Sequence, residues 1–168
     1  LAATGVFWAF LRRFTGSRVV ATSAALLFAL HPTRAESVAW VSGAPDSLAA
    51  LFGFGALYAL LRARPALTGD GNRSPNMRGQ LVACALFAAA LFSKETSLVF
   101  LAFPALLALG GAPHRRFRAR VFDSVRVTMP WLCIALVYLA IRTIIIGEIA
   151  PTRIEVTCEQ INPTTLVL

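Results

Sequence analysis

The stretch LLFALHPTRAESVAWVSGAPDSLAALF, residues 26–52, contains two apolar blocks separated by a polar gap. The gap begins at His31, contains Arg34 and Glu36, and ends at Asp46, which follows a proline. Proline followed by an acid is a favourable start for a helix, because proline fits the first turn and a carboxylate interacts well with the positive end of the helix dipole. The pattern predicts an apolar helix on each side of the gap.

The whole chain is unusually apolar. Of its 168 residues, 57% are hydrophobic and 14% are charged, and the mean hydropathy is +0.69. A soluble domain has about 45–50% apolar and about 25% charged residues. One small core cannot bury so many apolar residues. The composition therefore predicts an integral, multi-pass membrane protein that is surrounded by the lipid bilayer. The net charge of +8 does not indicate nucleic acid, because the basic residues fall in the gaps between apolar blocks.

Six apolar blocks follow one another along the chain: 1–11, 19–30, 46–61, 81–92, 96–109 and 127–146. A helix that spans the hydrocarbon core needs about 20 residues, so only the last block reaches this length without flanking residues. The predicted fold is all-α, a polytopic transmembrane helix bundle of about six spans over residues 1–149. The chain begins at Leu1 inside an apolar run, so we interpret it as a piece of a longer protein with its first span truncated.

Strongly basic gaps alternate with weakly charged ones. Arginines fill the first, third and fifth gaps, whereas the second gap (31–45) and the fourth (93–96) carry little net charge. Basic gaps face the cytosol in multi-pass proteins. The alternation requires the apolar run 81–109 to be broken at the SKE sequence that begins at Ser93, and we predict a hairpin there. The second and fourth gaps and residues 147–168 then face the lumen or the periplasm.

The second gap provides one group of candidate site residues. Apolar side chains recur at helical spacing over residues 35–41, which predicts a short amphipathic segment at the outer membrane interface. This segment would hold His31, Arg34 and Glu36 at the mouth of the bundle, within reach of a polar lipid headgroup. The alternative is that these three are ordinary polar residues of a loop.

Four other charged residues are candidates on the same outer side. Lys94 and Glu95 lie at the predicted hairpin tip, where a lysine suits a lipid phosphate; alternatively, both extend into water. Asp46 either begins a helix or binds a sugar hydroxyl or a metal. Arg142 lies in the outer half of the last block and points either to water or to a phosphate.

Several kinds of site are not indicated by the sequence. The cysteines at positions 84, 133 and 158 lack metal-binding spacing, and no P-loop, HExxH motif or glycine-rich nucleotide loop is present. The sequence therefore indicates neither a zinc site nor a redox or nucleotide cofactor, and it leaves open whether another metal is used. Any chemistry is expected to act on a membrane-borne substrate.

The quoted stretch and LFSKETSLVFLAFP, residues 91–104, resemble the membrane region of the transmembrane and tetratricopeptide-repeat (TMTC-type) O-mannosyltransferases and their bacterial relatives. That family has an HPxHxEAVAWVxGRAD loop followed by an SKE or WKE tip, and this chain has HPTRAESVAWVSGAPD and SKE. Arg34 stands where the family often has a second histidine, and GAPD replaces GRAD. The tail 141–168, with Asn162-Pro163, resembles the start of the family's DUF1736 region, and residues 150–168 are predicted to form this luminal or periplasmic segment.

The resemblance implies a GT-C glycosyltransferase, located in the ER membrane of a eukaryote or the inner membrane of a bacterium. Such an enzyme moves mannose from a polyprenyl-phosphate donor, dolichyl-phosphate-mannose in eukaryotes, to Ser or Thr hydroxyls of a protein on the luminal face. It also implies a C-terminal tetratricopeptide-repeat array and a catalytic acid upstream of Leu1, both outside these residues. The residues that match the family's motif positions are His31, Glu36, Asp46, Lys94 and Glu95.

The proposed chemistry assigns these residues separate roles. Lys94, with Arg142 or Arg34, would stabilise the departing phosphate, and Glu36 would orient His31 or the acceptor. Two other functions fit the same sequence: a transporter of a lipid-linked substrate that uses Lys94 and Glu95 as a gate, and a non-catalytic membrane anchor for a repeat domain.

Overall fold

The computed structural model describes residues 1–32, 43–68, 74–110 and 117–146, and every regular element in these ranges is helical. This confirms the all-α part of the prediction. The α-helices are α1 (Ala2–Thr15), α2 (Arg18–Leu30), α3 (Ala44–Ala63), α4 (Met77–Ser93), α5 (Ala102–Gly110) and α6 (Phe117–Ile146), and 3-10 helices cover Pro65–Thr68 and Glu95–Leu101.

Helices α1 and α2 form an antiparallel pair. Gly16 ends α1 in the left-handed conformation (φ 71°), and its N–H donates to the carbonyl of Arg12. Ser17 then caps α2 by accepting a hydrogen bond from the N–H of Val20. Glycine adopts this backbone conformation without steric cost, so the chain reverses within two residues. Across the pair, Trp8 Nε1 donates to Thr22 Oγ1 at 3.1 Å.

Helices α3 and α4 are also antiparallel and pack closely at one end. There the N–H of Asn76 donates to the carbonyl of Ala63 at 2.9 Å. A Cβ placed on Gly79 would lie 3.0 Å from the Cβ of Ala63, so small residues allow the two backbones to approach. At the other end of the pair, Lys94 meets Asp46. Because α3 has 20 residues, these two ends are about 30 Å apart.

The predicted break in the apolar run 81–109 is present. Helix α4 ends at Ser93, and Lys94 is extended, with φ −159° and ψ 133°. The chain then winds as a 3-10 helix to Leu101. The sequence had predicted one continuous apolar span over residues 96–109, so the first part of that span differs from the prediction. Pro104 explains why α-helix begins only at Ala102: proline lacks an N–H and is tolerated in the first turn of a helix but not in its interior.

Helix α6 begins well before the predicted start of its block at residue 127. It starts at Phe117, so Arg118, Arg120 and Arg126 of the fifth gap lie in its first three turns rather than in a loop. It runs antiparallel to α5, because Arg120 Nη1 donates to the carbonyl of Leu109 at 2.9 Å and Ser124 Oγ to that of Ala105 at 3.5 Å. Pro130 lies inside this helix.

The chain divides into two units, Leu1–Tyr138 and Leu139–Leu168. The described part of the second unit is the end of α6, where Thr143 Oγ1 donates to the carbonyl of Ala140 at 2.9 Å. The predicted outer segment 150–168, with its likeness to DUF1736, lies outside the described residues.

The first unit is apolar both inside and outside. Its core is centred on Leu57, Phe87 and Trp131, all fully buried, and the Phe87 and Trp131 rings stack with their centroids 4.5 Å apart. On the outer surface, Leu27 is 73% exposed and Phe92 is 68% exposed. Two helical segments of the described chain are long and apolar enough to cross a membrane: Ala44–Ala63 and Arg118–Ile145. The other apolar helices are shorter.

Candidate functional site

The ammonium of Lys94 forms an ion pair with the carboxylate of Asp46, and Lys94 Nζ donates a hydrogen bond to Asp46 Oδ1. The two residues are 48 positions apart in sequence, and the antiparallel packing of α3 and α4 brings them together. Each side chain is slightly more than one third exposed, 38% for Lys94 and 36% for Asp46. The pair therefore lies at the surface and can be reached by a polar ligand.

The helix ends that carry these two residues favour their charges. Asp46 lies in the first turn of α3, where the helix dipole is positive. Lys94 is the C-cap of α4, and its N–H donates to the carbonyl of Ala90, at the negative end of that dipole. The pair thus joins the start of one helix to the end of the other. An ammonium has three N–H donors. Lys94 can therefore donate one hydrogen bond to Asp46 and another to a phosphate oxygen.

The chain that follows the ion pair turns directly into the apolar interior. The N–H of Ser97 donates to the carbonyl of Lys94 at 3.0 Å. The Ser97 side chain is only 2% exposed, and its Oγ has no hydrogen-bond partner among the described residues. Further along, the Phe100 ring lies edge-on to that of Phe54, with centroids 5.3 Å apart. The ion pair therefore lies at the border between a polar surface and a packed aromatic cluster.

The opposite end of the α3–α4 pair is basic. Arg64 Nε donates to Gln80 Oε1 at 3.2 Å. Burial lowers the pKa of the Arg64 guanidinium, the charge of Arg126 lowers it further, and Asp123 raises it. Since Asp123 and Arg126 belong to α6, the third and fifth gaps meet at this end. Arg64 and Arg126 lie away from the Lys94–Asp46 pair, as the predicted hairpin requires.

The structure describes five of the seven candidate residues. It joins Lys94 to Asp46, and the half-buried Glu95 follows Lys94 in the first turn of the 3-10 helix. His31 is exposed and follows the last residue of α2. Arg142 is half-buried on α6, within the second unit. Arg34, Glu36 and the predicted interfacial segment 35–41 lie outside the described residues.

The sequence did not reveal that Lys94 pairs with Asp46. From the sequence, Lys94 was considered together with its neighbour Glu95, and Asp46 was interpreted as the start of a helix. The sequence nevertheless contained a signal that Lys94 and Asp46 lie near each other. Asp46 adjoins the second gap and Lys94 lies in the fourth, and the charge alternation assigns both gaps to the same side of the bundle. As for metals, the described residues contain no group of three His, Cys, Asp or Glu side chains that could hold an ion.

Comparison of the chain with known protein families, with curated proteins and with solved structures finds no match.

Proposed function

We propose that this chain is part of the membrane domain of a glycosyltransferase that uses a polyprenyl-phosphate sugar donor. In this proposal it is a multi-pass protein of the ER membrane or of a bacterial inner membrane, and Lys94 binds the donor phosphate on the outer face. The observation that carries the proposal is the Lys94–Asp46 ion pair, which lies at the end of the helix pair opposite the arginines.

The membrane placement is supported by the outward-facing apolar side chains. Leu106 of α5 is 61% exposed, and Leu136 of α6 is 56% exposed, although both helices also contribute to the core. Lipid chains solvate such a surface at no cost, whereas water does not. The segment Glu95–Gly110 has only 16 residues, but a 3-10 helix rises about 2.0 Å per residue. The segment is therefore about 27 Å long, close to the thickness of the hydrocarbon core.

The sidedness follows from the charges at the two ends. Arg64 and Arg126 lie at one end of the first unit, which the positive-inside rule assigns to the cytosol. The Lys94–Asp46 pair lies about 30 Å away along α3, which corresponds to the lumen or periplasm. Sugar transfer from a polyprenyl-phosphate donor to a secreted acceptor takes place on this face.

The chemistry assigned to Lys94 is electrostatic. When the sugar leaves the donor, negative charge develops on the polyprenyl phosphate, and a fixed cation lowers the energy of that state. Asp46 holds the ammonium in position and leaves its other donors for the phosphate. The acceptor hydroxyl needs a general base, which the resemblance to the TMTC-type family assigns to a carboxylate upstream of Leu1. The acceptor in this proposal is a Ser or Thr side chain of a protein, and the transferred sugar is mannose.

The phosphate-binding role of Lys94 predicts that Lys94→Met weakens binding of a polyprenyl phosphate at least tenfold. A hydrogen bond to a charged group contributes about 1.5–3 kcal/mol, and methionine keeps the length of the side chain without its charge. Binding is measured with a fluorescent polyprenyl phosphate and the chain in detergent micelles, with the uncharged polyprenol as the reference ligand. The wild type is expected to prefer the phosphate.

Three variants serve as controls for this measurement. Arg13→Met removes an exposed cation of α1 and should leave the affinity unchanged. Lys94→Arg should retain most of it, and so should Asp46→Asn, because an asparagine Oδ1 can still accept the hydrogen bond that positions the ammonium. Equal affinity of wild type and Lys94→Met, or no preference over polyprenol, would contradict the proposal and favour a membrane anchor. Sugar transfer by these 168 residues alone would contradict the assignment of the general base to an upstream loop.

A further inference from the structure

A groove of about 500 Å³ opens between helices α1, α3 and α4. It lies toward the basic end of the first unit, because its lining includes the last residues of α3 and the first residues of α4. Its lining is apolar toward the middle of the helices and polar toward their basic end, which is called the mouth here. Among its lining residues are Gly55, Val82 and Leu86 in the walls and Tyr58, Arg62 and Asn76 at the mouth.

At Gly55, which has no side chain, the groove reaches the backbone of α3. A Cβ placed there would lie 3.6 Å from the nearest Leu86 methyl and 4.0 Å from that of Val6, so a methyl group fits beside the α3 backbone at ordinary contact distance. Arg62 is seven residues from Gly55, about 10 Å along the helix axis. The groove therefore offers an apolar channel that leads away from a cationic mouth, with a length that suits the upper part of an acyl chain.

The mouth favours a negative charge. Arg62 is exposed, and its guanidinium carbon lies 5.9 Å from the centre of the Tyr58 ring, which holds the side chain over the groove. Asn76 caps α4, accepting a hydrogen bond from the N–H of Arg78, and the first turn of α4 contains no acidic residue. The positive end of the α4 dipole and the exposed Arg78 therefore add to the charge of Arg62.

We propose that this groove binds an anionic phospholipid of the surrounding membrane, with its phosphate at Arg62 and one acyl chain between Gly55 and Leu86. This inference rests on the membrane placement proposed above. This lipid site is separate from the proposed site of the sugar donor, because Lys94 pairs with Asp46 at the opposite end of α3. A zwitterionic lipid would fill the same channel, but its cationic headgroup would gain less from the arginines.

The test uses the chain in nanodiscs made of equal amounts of phosphatidylglycerol and phosphatidylcholine, followed by native mass spectrometry of the lipids that remain bound. The wild type is expected to retain phosphatidylglycerol in preference to phosphatidylcholine. Arg62→Gln should reduce this preference about fivefold, the factor for one basic residue near an anionic surface. Arg62→Lys should keep most of it. Gly55→Leu should fill the channel and lower the retention of both lipids.

The matched control is Arg18→Gln, which removes the same charge from an exposed site at the start of α2 and should leave the preference unchanged. Equal retention of both lipids by the wild type, or an equal loss in the Arg18 and Arg62 variants, would overturn the inference. Neither result affects polyprenyl-phosphate binding through Lys94, so the two proposals fail separately. Failure of the chain to enter nanodiscs at all would overturn both the membrane placement and this lipid site.

Discussion

Replacing Trp131 by alanine is expected to lower the free energy of unfolding by about 3 kcal/mol, the lower end of the range for removing a buried Trp or Phe side chain. Trp131 is fully buried and stacks on Phe87. In a membrane, moving an apolar side chain from lipid into the protein core contributes little to the free energy of folding, because lipid chains are as apolar as the core. The loss therefore comes mainly from the cavity and the missing van der Waals contacts. Reversible unfolding in mixed micelles measures it.

Two variants separate packing from the other properties of Trp131. Trp131 Nε1 is buried and has no hydrogen-bond partner among the described residues. Trp131→Phe removes this costly donor and keeps a stacked ring, so we expect a change of less than about 1 kcal/mol. Leu136→Ala truncates a side chain that is 56% exposed on the same helix and should cost equally little. An effect of Leu136→Ala as large as that of Trp131→Ala would contradict the core described above.

Replacing Gly53 by leucine should destabilise the fold by about 3 kcal/mol, the upper end of the usual range for overpacking. A Cβ at this position would lie 2.2–2.6 Å from three ring atoms of Phe100. That ring is 8% exposed and packs against Phe54 and Phe103, so any shift that makes room for the new side chain disrupts these contacts. The same unfolding measurement tests this prediction.

Gly55→Leu is the matched control, since it introduces the same side chain two residues further along α3. A Cβ there makes only ordinary van der Waals contacts, so we expect a change of less than about 1 kcal/mol. Adding Phe100→Ala to Gly53→Leu should recover part of the loss, because residues in contact are energetically coupled. Equal destabilisation by leucine at positions 53 and 55 would show that α3 and the 3-10 helix do not pack as described.

The break at Ser93 was predictable because two charged residues interrupt an apolar run and charge alternation requires a reversal there. The 3-10 winding of Glu95–Leu101 was not, since a seven-residue segment of three polar and four apolar residues does not distinguish this winding from an α-helix. The early start of α6 was missed because its arginines were interpreted as a loop. A signal was available, since neither proline nor glycine separates Phe117 from residue 127.

The candidate site was predicted as separate residues and not as a contact. Local spacing explained Asp46 as the start of a helix and Lys94 as a hairpin tip, and each interpretation agrees with the structure. Their contact depends on which helices pack together and in which register, and sequence spacing contains little information about this. The groove at Arg62 was missed for the same reason, because its walls come from three helices.

In the proposed topology, the Lys94–Asp46 pair lies on the opposite side of a membrane from Arg64 and Arg126. The most direct measurement is cysteine labelling of sealed vesicles with a membrane-impermeant maleimide, after the cysteines at 84, 133 and 158 have been replaced. Single cysteines are introduced at Thr96, beside the ion pair, at Arg78, near the basic end, and at Ala85, midway along α4. All three positions are exposed in the structure.

We expect Thr96→Cys and Arg78→Cys to react from opposite sides of the vesicle. Ala85→Cys should remain unlabelled until detergent is added, because lipid covers it. Labelling of positions 78 and 96 from the same side, or rapid labelling of position 85 in intact vesicles, would contradict this topology.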